Sequence, residues 1–448
     1  MRRRDLFRLL GAGAAACAMP RALWAAAADP APGDYFILIH ASGGWDVTLW
    51  ADPRAERRGL VEPASTDNTD IAPITRWKSV ALDGDTDTFA PLTASDSNLV
   101  LGPAIGDLWD LRDRLTVING LAMNTVSHPD GTAFAVTGRH LSGGHSPASS
   151  LDVALANELG AQQLLPAVAV QFPSSFVGDR LDRRAVPLRV TSAATIAKSL
   201  ARTGSYLDVT DRSAITALLA DEARGIAGTV TFPETYARVA AQEDALPRLL
   251  GDELAQAFTQ KALAAAHPKF DYKARFQAQG ALSAAFAVEA IKRDLVRTVG
   301  FALGGLDTHN QNYKQHAHTL QELFGVVATL VAELDATPHP TRATARLSEH
   351  THILVFSDFC RTPQINIGGG RDHYPNNSAL VISPRFRRNF VFGKTDPEQL
   401  LPAVAKKFAD GERAISPPDL LSTFVHAFGV NPRVYLRDGE VVPELLAS

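Results

Sequence analysis

Five short stretches of this 448-residue chain pair small residues with carboxylates or imidazoles, the side chains that bind divalent ions. "SGGWD" ends at Asp46, and "VSHPDGT" holds His128 and Asp130. "GGLDTHN" holds Asp307 and His309, "SDFCRTP" holds Asp358 and Arg361, and "GGGRDHYP" holds Arg371, Asp372 and His373. Hard cations prefer carboxylate oxygen, while imidazole also suits zinc, manganese and iron. The mixed set therefore predicts one or two ions of zinc, manganese, magnesium or calcium. Asp46, His128, Asp307, His309, Asp358, Asp372 and His373 are the candidate ligands. In an extended Asp-x-His, Asp307 and His309 point to one face and can share an ion. Such an ion activates water and neutralises a phosphate or sulfate. Arg361 and Arg371 have the planar donors that would clamp the oxyanion.

Each stretch also has a plainer reading. Asp46 follows a glycine pair that could be only a tight turn, "HPDG" is a good β-turn, and "GLDTH" could cap a helix. His316 and His318 read as surface residues at a helix start, and His350 and His352 as structural groups flanking a strand. No sequence context activates Cys360, which reads as a structural thiol.

Bringing these stretches together needs a particular scaffold. "YFILIH", "LTVING", "PAVAVQF", "TVGFALGG" and "HILVFS" are short, continuous apolar runs, as expected of parallel strands buried on both faces. Helical stretches lie between them, among them "SSLDVALANELG", "SAITALLADEARGI" and "ALSAAFAVEAIKRDLV". In "HAHTLQELFGVVATLVAELDA", Leu320, Leu323, Val327, Leu330 and Leu334 form one stripe. The alternation predicts an α/β fold with a doubly wound, mostly parallel sheet. In such sheets ligands bind beyond the carboxyl ends of the strands, which is where four of the five stretches begin. Residues of about 202–288 read as a helical insertion or cap on that domain. "EPASTDNTDIAP" and "LDGDTDTFAPLTASDSN" read as acidic surface loops.

Residues 1–28 have the basic start, apolar middle and small-residue end of an export signal, and Arg3–Arg4 fits the twin-arginine pattern. The expected location is periplasmic or secreted, with residues 29–448 as the mature domain. Removing the signal takes away five arginines and one aspartate, shifting the net charge from −4 to −8. That charge offers no footprint for nucleic acid. Cys360 would be the sole remaining cysteine, which excludes an intramolecular disulfide, and no run is long enough to span a membrane.

The signal, "GGWD", "GGLDTH", "SDFCRTP" and "GGGRDHYP", in this order, resemble the secreted bacterial family called domain of unknown function 1501. That family resembles the alkaline phosphatase and sulfatase superfamily, which implies an alkaline-phosphatase-like fold and two-metal hydrolase ancestry. By that resemblance Asp358 matches a metal aspartate, Phe359 stands where a metal histidine would be, and His373 could fill a late histidine position. The superfamily's nucleophile position falls at His128, with Ser127 and Thr132 nearby. The implied activity is hydrolysis of an anionic phosphate or sulfate ester, by metal-activated water or by a residue of this segment. The alternative is a non-catalytic exported protein that keeps the fold and binds an envelope partner.

Overall fold

A computed structural model describes residues 33–54, 74–82, 86–178, 181–200, 252–436 and 438–447, together with 214, 217 and 218. The signal segment, "EPASTDNTDIAP" and most of the region read as an insertion lie outside the described residues.

Eight strands form one sheet: β1 (Tyr35–Ala41), β2 (Leu115–Ala122), β3 (Ala167–Val170), β4 (Leu188–Val190), β5 (Thr298–Leu303), β6 (Thr351–Ser357), β7 (Asn376–Ile382) and β8 (Phe390–Phe392). Their order is β8-β2-β7-β6-β1-β5-β3-β4. All neighbours pair in parallel except β7, which runs antiparallel to both β6 and β2. The five apolar runs of the sequence are β1, β2, β3, β5 and β6, and helices alternate with them. The fold is an α/β doubly wound, mostly parallel sheet.

The alternation of side chains along a strand builds two cores. Ile37 and Ile39 of β1 face one side with Ile353 and Val355 of β6. Helices α4 (Ala278–Lys292) and α5 (His318–Ala336) cover that side. Phe36, Leu38, Leu354 and Phe356 face the other, under α1 (His128–Thr137), α2 (Leu151–Leu159) and α6 (Pro417–His426). The β1–β6 register runs from Tyr35 opposite Thr351 to Ala41 opposite Ser357, so both strands end level.

Two expectations need correction. Residues 278–288, read as part of a cap, lie in α4, which is buried continuously from Gly280 to Ile291 and forms core. A helix apolar on all sides belongs inside. "LDGDTDTFAPLTASDSN" includes the strand Thr86–Phe89, which pairs with Ser79–Leu82, and Leu92–Thr93, which pairs with Val100–Leu101. β7 went unread because "NNS" opens it. Those polar side chains are buried, with Asn377 donating to Ser357 O and Ser378 to Asn119 Oδ1. No helix among the described residues is long and apolar enough to cross a membrane.

Candidate metal centre

Because β1, β2, β5 and β6 are parallel, the segments that follow them emerge at one sheet edge. The antiparallel β7 starts at that same edge, so the residues before it arrive there too. Asp46, His128, Asp307, Asp358 and His373 thus come from five segments at one end of the sheet.

Local structure then aims the side chains. His128 opens α1 with Ser127 at the N-cap and Pro129 in the first turn, where a proline's missing N–H costs nothing. Gly131 lets this turn lie against the end of β6, since a Cβ there would sit 2.4 Å from Asp358 O. His309 follows the turn after β5, and Gly370 presses on its backbone, leaving only 2.1 Å between a Cβ and His309 C.

Four side chains converge. Asp307 Oδ1 lies 3.3 Å from His128 Nε2, 3.3 Å from His309 Nε2 and 3.7 Å from His373 Nε2. His309 Nε2 and His373 Nε2 are 3.1 Å apart. Donor atoms of His128, Asp307 and His373 all lie within 4.8 Å of one another, the one such group found among the described residues.

The outer nitrogens decide where the protons sit. His373 Nδ1 faces the Val126 carbonyl at 2.8 Å, and a carbonyl only accepts, so Nδ1 carries the hydrogen. His128 Nδ1 faces Asp358 Oδ2 at 2.7 Å, and His309 Nδ1 faces Asp372 Oδ1 at 2.7 Å. Both carboxylates draw the proton to Nδ1 in the same way. In the neutral imidazoles, the Nε2 lone pairs of His128 and His373 then face one carboxylate oxygen, while His309 Nε2 also faces the Arg361 Nη1 donor at 3.5 Å. The His128 Nε2 atom is buried and makes no hydrogen bond among the described residues. Metal-bound histidines characteristically give their outer N–H to a carboxylate or carbonyl. A tetrahedral site with bonds of 2.0–2.1 Å has donor–donor edges of about 3.3 Å, which the Asp307 contacts with His128 and His309 match, while the mutually close set is His128, Asp307 and His373. His128, Asp307 and His373 thus have the donor types and spacing of a candidate cation site rich in imidazole nitrogen.

Charge around the cluster is graded. Burial works against an ionised Asp307, but the Arg361 hydrogen bond and nearby imidazoles outweigh it and lower its pKa. Asp358 is only 2% exposed, and burial opposes its charge too. Bonds from His128, His40 and Thr132 hold its pKa well below the usual range nevertheless. The hydrogen bond to Asp358 raises the His128 pKa against its burial, while burial first and then neighbouring cations lower that of His373.

Several predicted residues take other places. Asp46 is fully buried, with Oδ2 2.9 Å from Arg371 Nε and Oδ1 accepting from the Thr48 N–H and hydroxyl. It is an internal ion pair, away from the ligand role expected of it. Arg371 also donates to the Thr362 and Pro363 carbonyls. Arg361, equally buried, donates to the carbonyls of Gly43, Gly44, Leu306 and Arg371 and to Asp307 Oδ1 at 2.8 Å. Both guanidiniums are sealed into the scaffold, so neither faces outward as an oxyanion clamp. Asp358 and Asp372 bond the outer nitrogens of His128 and His309 and lie outside the group around Asp307. Thr132 Oγ1 donates to Asp358 Oδ1 at 3.0 Å, and Ser127 is exposed at the mouth of α1. Phe359 packs against both the His128 and His373 rings, 4.7 and 4.6 Å from their centroids, where the resemblance implied a metal histidine.

His316 and His318 are buried, contrary to a surface reading. His316 lies in a π-helical turn, Asn312–Ala317, that swings it inward to accept the Asp46 N–H at 2.8 Å. Burial pushes its pKa down to about 3, so it stays neutral. Cys360 is a free, buried thiol whose pKa burial raises well above the ordinary value. His40, unread in the sequence, bonds through Nε2 to Asp358 Oδ1. Its polarity at the end of an apolar run was the available signal.

The sequence matches a family model described as "Protein of unknown function (DUF1501)" over residues 35–441. No curated protein matches it. Solved structures with some likeness include lipoteichoic acid synthase LtaP from Listeria monocytogenes, at 7% identity and TM-score 0.37, covering 90% of this chain and 73% of that one. Another is the PsFucS1 sulfatase from Pseudoalteromonas sp., at 10% identity and TM-score 0.35, covering 94% and 73%. A third is Ps i-CgsB in complex with k-i-k-neocarrahexaose, at 11% identity and TM-score 0.36, covering 91% and 75%.

Proposed function

The chain belongs to the DUF1501 family, and from that premise we propose that it is an exported, single-ion metalloprotein that hydrolyses phosphate or sulfate esters. The observation that supports this most is the convergence of three Nε2 atoms on Asp307, each imidazole held from behind by Asp358, Asp372 or Val126 O. His128, Asp307, His309 and His373 would hold the ion. A bound ion supplies Lewis acidity and a low-pKa water.

The protein's own residues do the rest. Asp358 and Asp372 fix imidazole orientation, and Arg361 ties together the loops after β1, β5 and β6 while holding Asp307 ionised. Asp307 and His309 are about half exposed, at 56% and 48% of their side-chain surface, so the cluster opens to solvent and an ester can approach it. Phe359 fills the place of a further ligand, which limits the site to one ion. The Arg3–Arg4 pattern supports export by the twin-arginine route, which would carry the chain to the periplasm or outside the cell.

A non-catalytic reading has its own support. Arg361 and Arg371 are enclosed, and among the described residues no serine, threonine or cysteine is hydrogen-bonded to the four side chains of the cluster. The protein would then use the ion structurally and bind an envelope partner. Turnover of aryl phosphates, phosphodiesters and aryl sulfates by wild type and Asp307→Ala separates the two. Hydrolysis lost in the variant supports the enzyme, and equal or absent hydrolysis in both supports the binding protein.

A further inference from the structure

Resting on the metal-centre reading, we infer that Asn366 is a positioning residue: its side-chain amide fixes the tautomer and orientation of His309 without touching the ion site. Asn366 sits in the loop "INIGGGRD" between β6 and β7. Its Oδ1 accepts from Gly368 N at 2.9 Å and Gly370 N at 3.1 Å, and backbone N–H groups can only donate. The oxygen and nitrogen of the amide are thereby distinguished.

Nδ2 must then supply both remaining bonds as a donor. One goes to His309 O at 3.1 Å and the other to Asp372 Oδ1 at 3.2 Å. That same Asp372 oxygen holds His309 Nδ1 at 2.7 Å. A single amide therefore grips His309 twice, at its carbonyl and through the carboxylate behind its ring. The backbone reinforces the grip: Asn366 N donates to Gly370 O at 2.8 Å, and Asn312 N donates to Gly369 O at 2.9 Å. Gly369 also bridges to Asn310.

The charge balance explains why an amide is needed. Asp372 is half exposed, and its Oδ1 is held by two side chains, His309 Nδ1 at 2.7 Å and Asn366 Nδ2 at 3.2 Å. Pinning one oxygen with Nδ2 leaves it aimed at Nδ1, which keeps the His309 proton there and leaves the Nε2 lone pair facing the cluster, where Arg361 Nη1 lies at 3.5 Å and Asp307 Oδ1 at 3.3 Å. Outer partners of this kind govern metal affinity as strongly as some ligands do.

Asn366→Asp is the discriminating variant. It keeps an acceptor for Gly368 and Gly370, so the loop can still close, but it removes the donor and sets a second carboxylate beside Asp372. Long-range proton–nitrogen correlation spectra of the full, metal-stripped chain at about pH 9, where imidazoles are neutral, report each histidine's tautomer. Wild type should show His309 with its proton on Nδ1 alone. Asn366→Asp should show a mixture at His309 and no change at His373, whose Nδ1 faces Val126 O. An unchanged His309 tautomer in both Asn366→Asp and Asn366→Ala would overturn the inference, as would an equal disturbance of His373. Zinc titration of the same proteins adds a separate readout, with affinity expected to fall at least about tenfold in Asn366→Asp. Failure of wild type to bind zinc would sink the metal-centre reading, while the tautomer result would still decide the role of Asn366.

Discussion

At the residue scale, Asp358 does more by standing behind the cluster than it could as a ligand. Its two oxygens accept from His128, Thr132 and Gly43 N and bond His40, and only 2% of the residue is exposed. Replacing it with asparagine puts an amide opposite His128 Nδ1. If Nδ2 turns towards the ring, the imidazole proton moves to Nε2 and the lone pair needed by the ion is lost. Asp358→Asn should weaken zinc binding about 10–100-fold, measured by competition with a chromophoric chelator. The fold should persist, because Asn keeps the shape. The sequence identified His309, Asp307, His373 and His128 as candidates, since their types and their places beyond strand ends were visible. It could not separate ligands from the residues behind them, because that depends on which oxygen meets which nitrogen. It also misplaced Asp46 and Arg371, whose charges cancel inside the protein at 2.9 Å.

At the element scale, the glycine loop works by close approach more than by flexibility. Gly370 has no positive-φ requirement, yet a Cβ there would lie 2.1 Å from His309 C and 2.2 Å from Asn310 N. Backbone cannot yield as a side-chain tip can. Gly370→Ala should therefore cost about 1–3 kcal/mol of stability, as overpacking does, and should weaken metal binding by pushing His309 from Asp307. Chemical denaturation and zinc titration of the same variant check both. Strands β1, β5 and β6 were legible because parallel strands buried on both faces are apolar throughout. β7 was hidden by its polar first turn, and with it the reason "GGGRDHYP" reaches the same edge as the other segments: the chain returns antiparallel. The inward swing of His316 was equally hidden, because a π-helical turn shifts which residues face the core.

At the scale of the whole molecule, the helical side carries its own buried ionic clamp. His267, at the end of α3 (Gln260–Ala266), lies between Glu333 of α5 at 2.8 Å and Glu289 of α4 at 3.3 Å. Burial opposes the Glu289 charge, but bonds from His267 and Arg293 lower its pKa from 4.5 to about 2. Its stabilising contribution is thus complete above about pH 4.5 and lost as pH falls towards 2. Burial also opposes the His267 charge, yet the two glutamates raise its pKa above 6.5. That contribution is complete below pH 6.5 and is lost as pH rises through the raised value. Glu289→Gln should lower stability at pH 5–6 and flatten its decline into acid, as read from denaturation midpoints across the pH series. The central claim, one ion held by three imidazoles and Asp307, is tested most directly by the metal content of the chain purified after export without chelators. The account predicts one zinc, manganese or iron ion per chain in wild type and none in Asp307→Ala combined with His373→Ala. No bound ion in wild type, two ions per chain, or an undiminished ion in the double variant would contradict it.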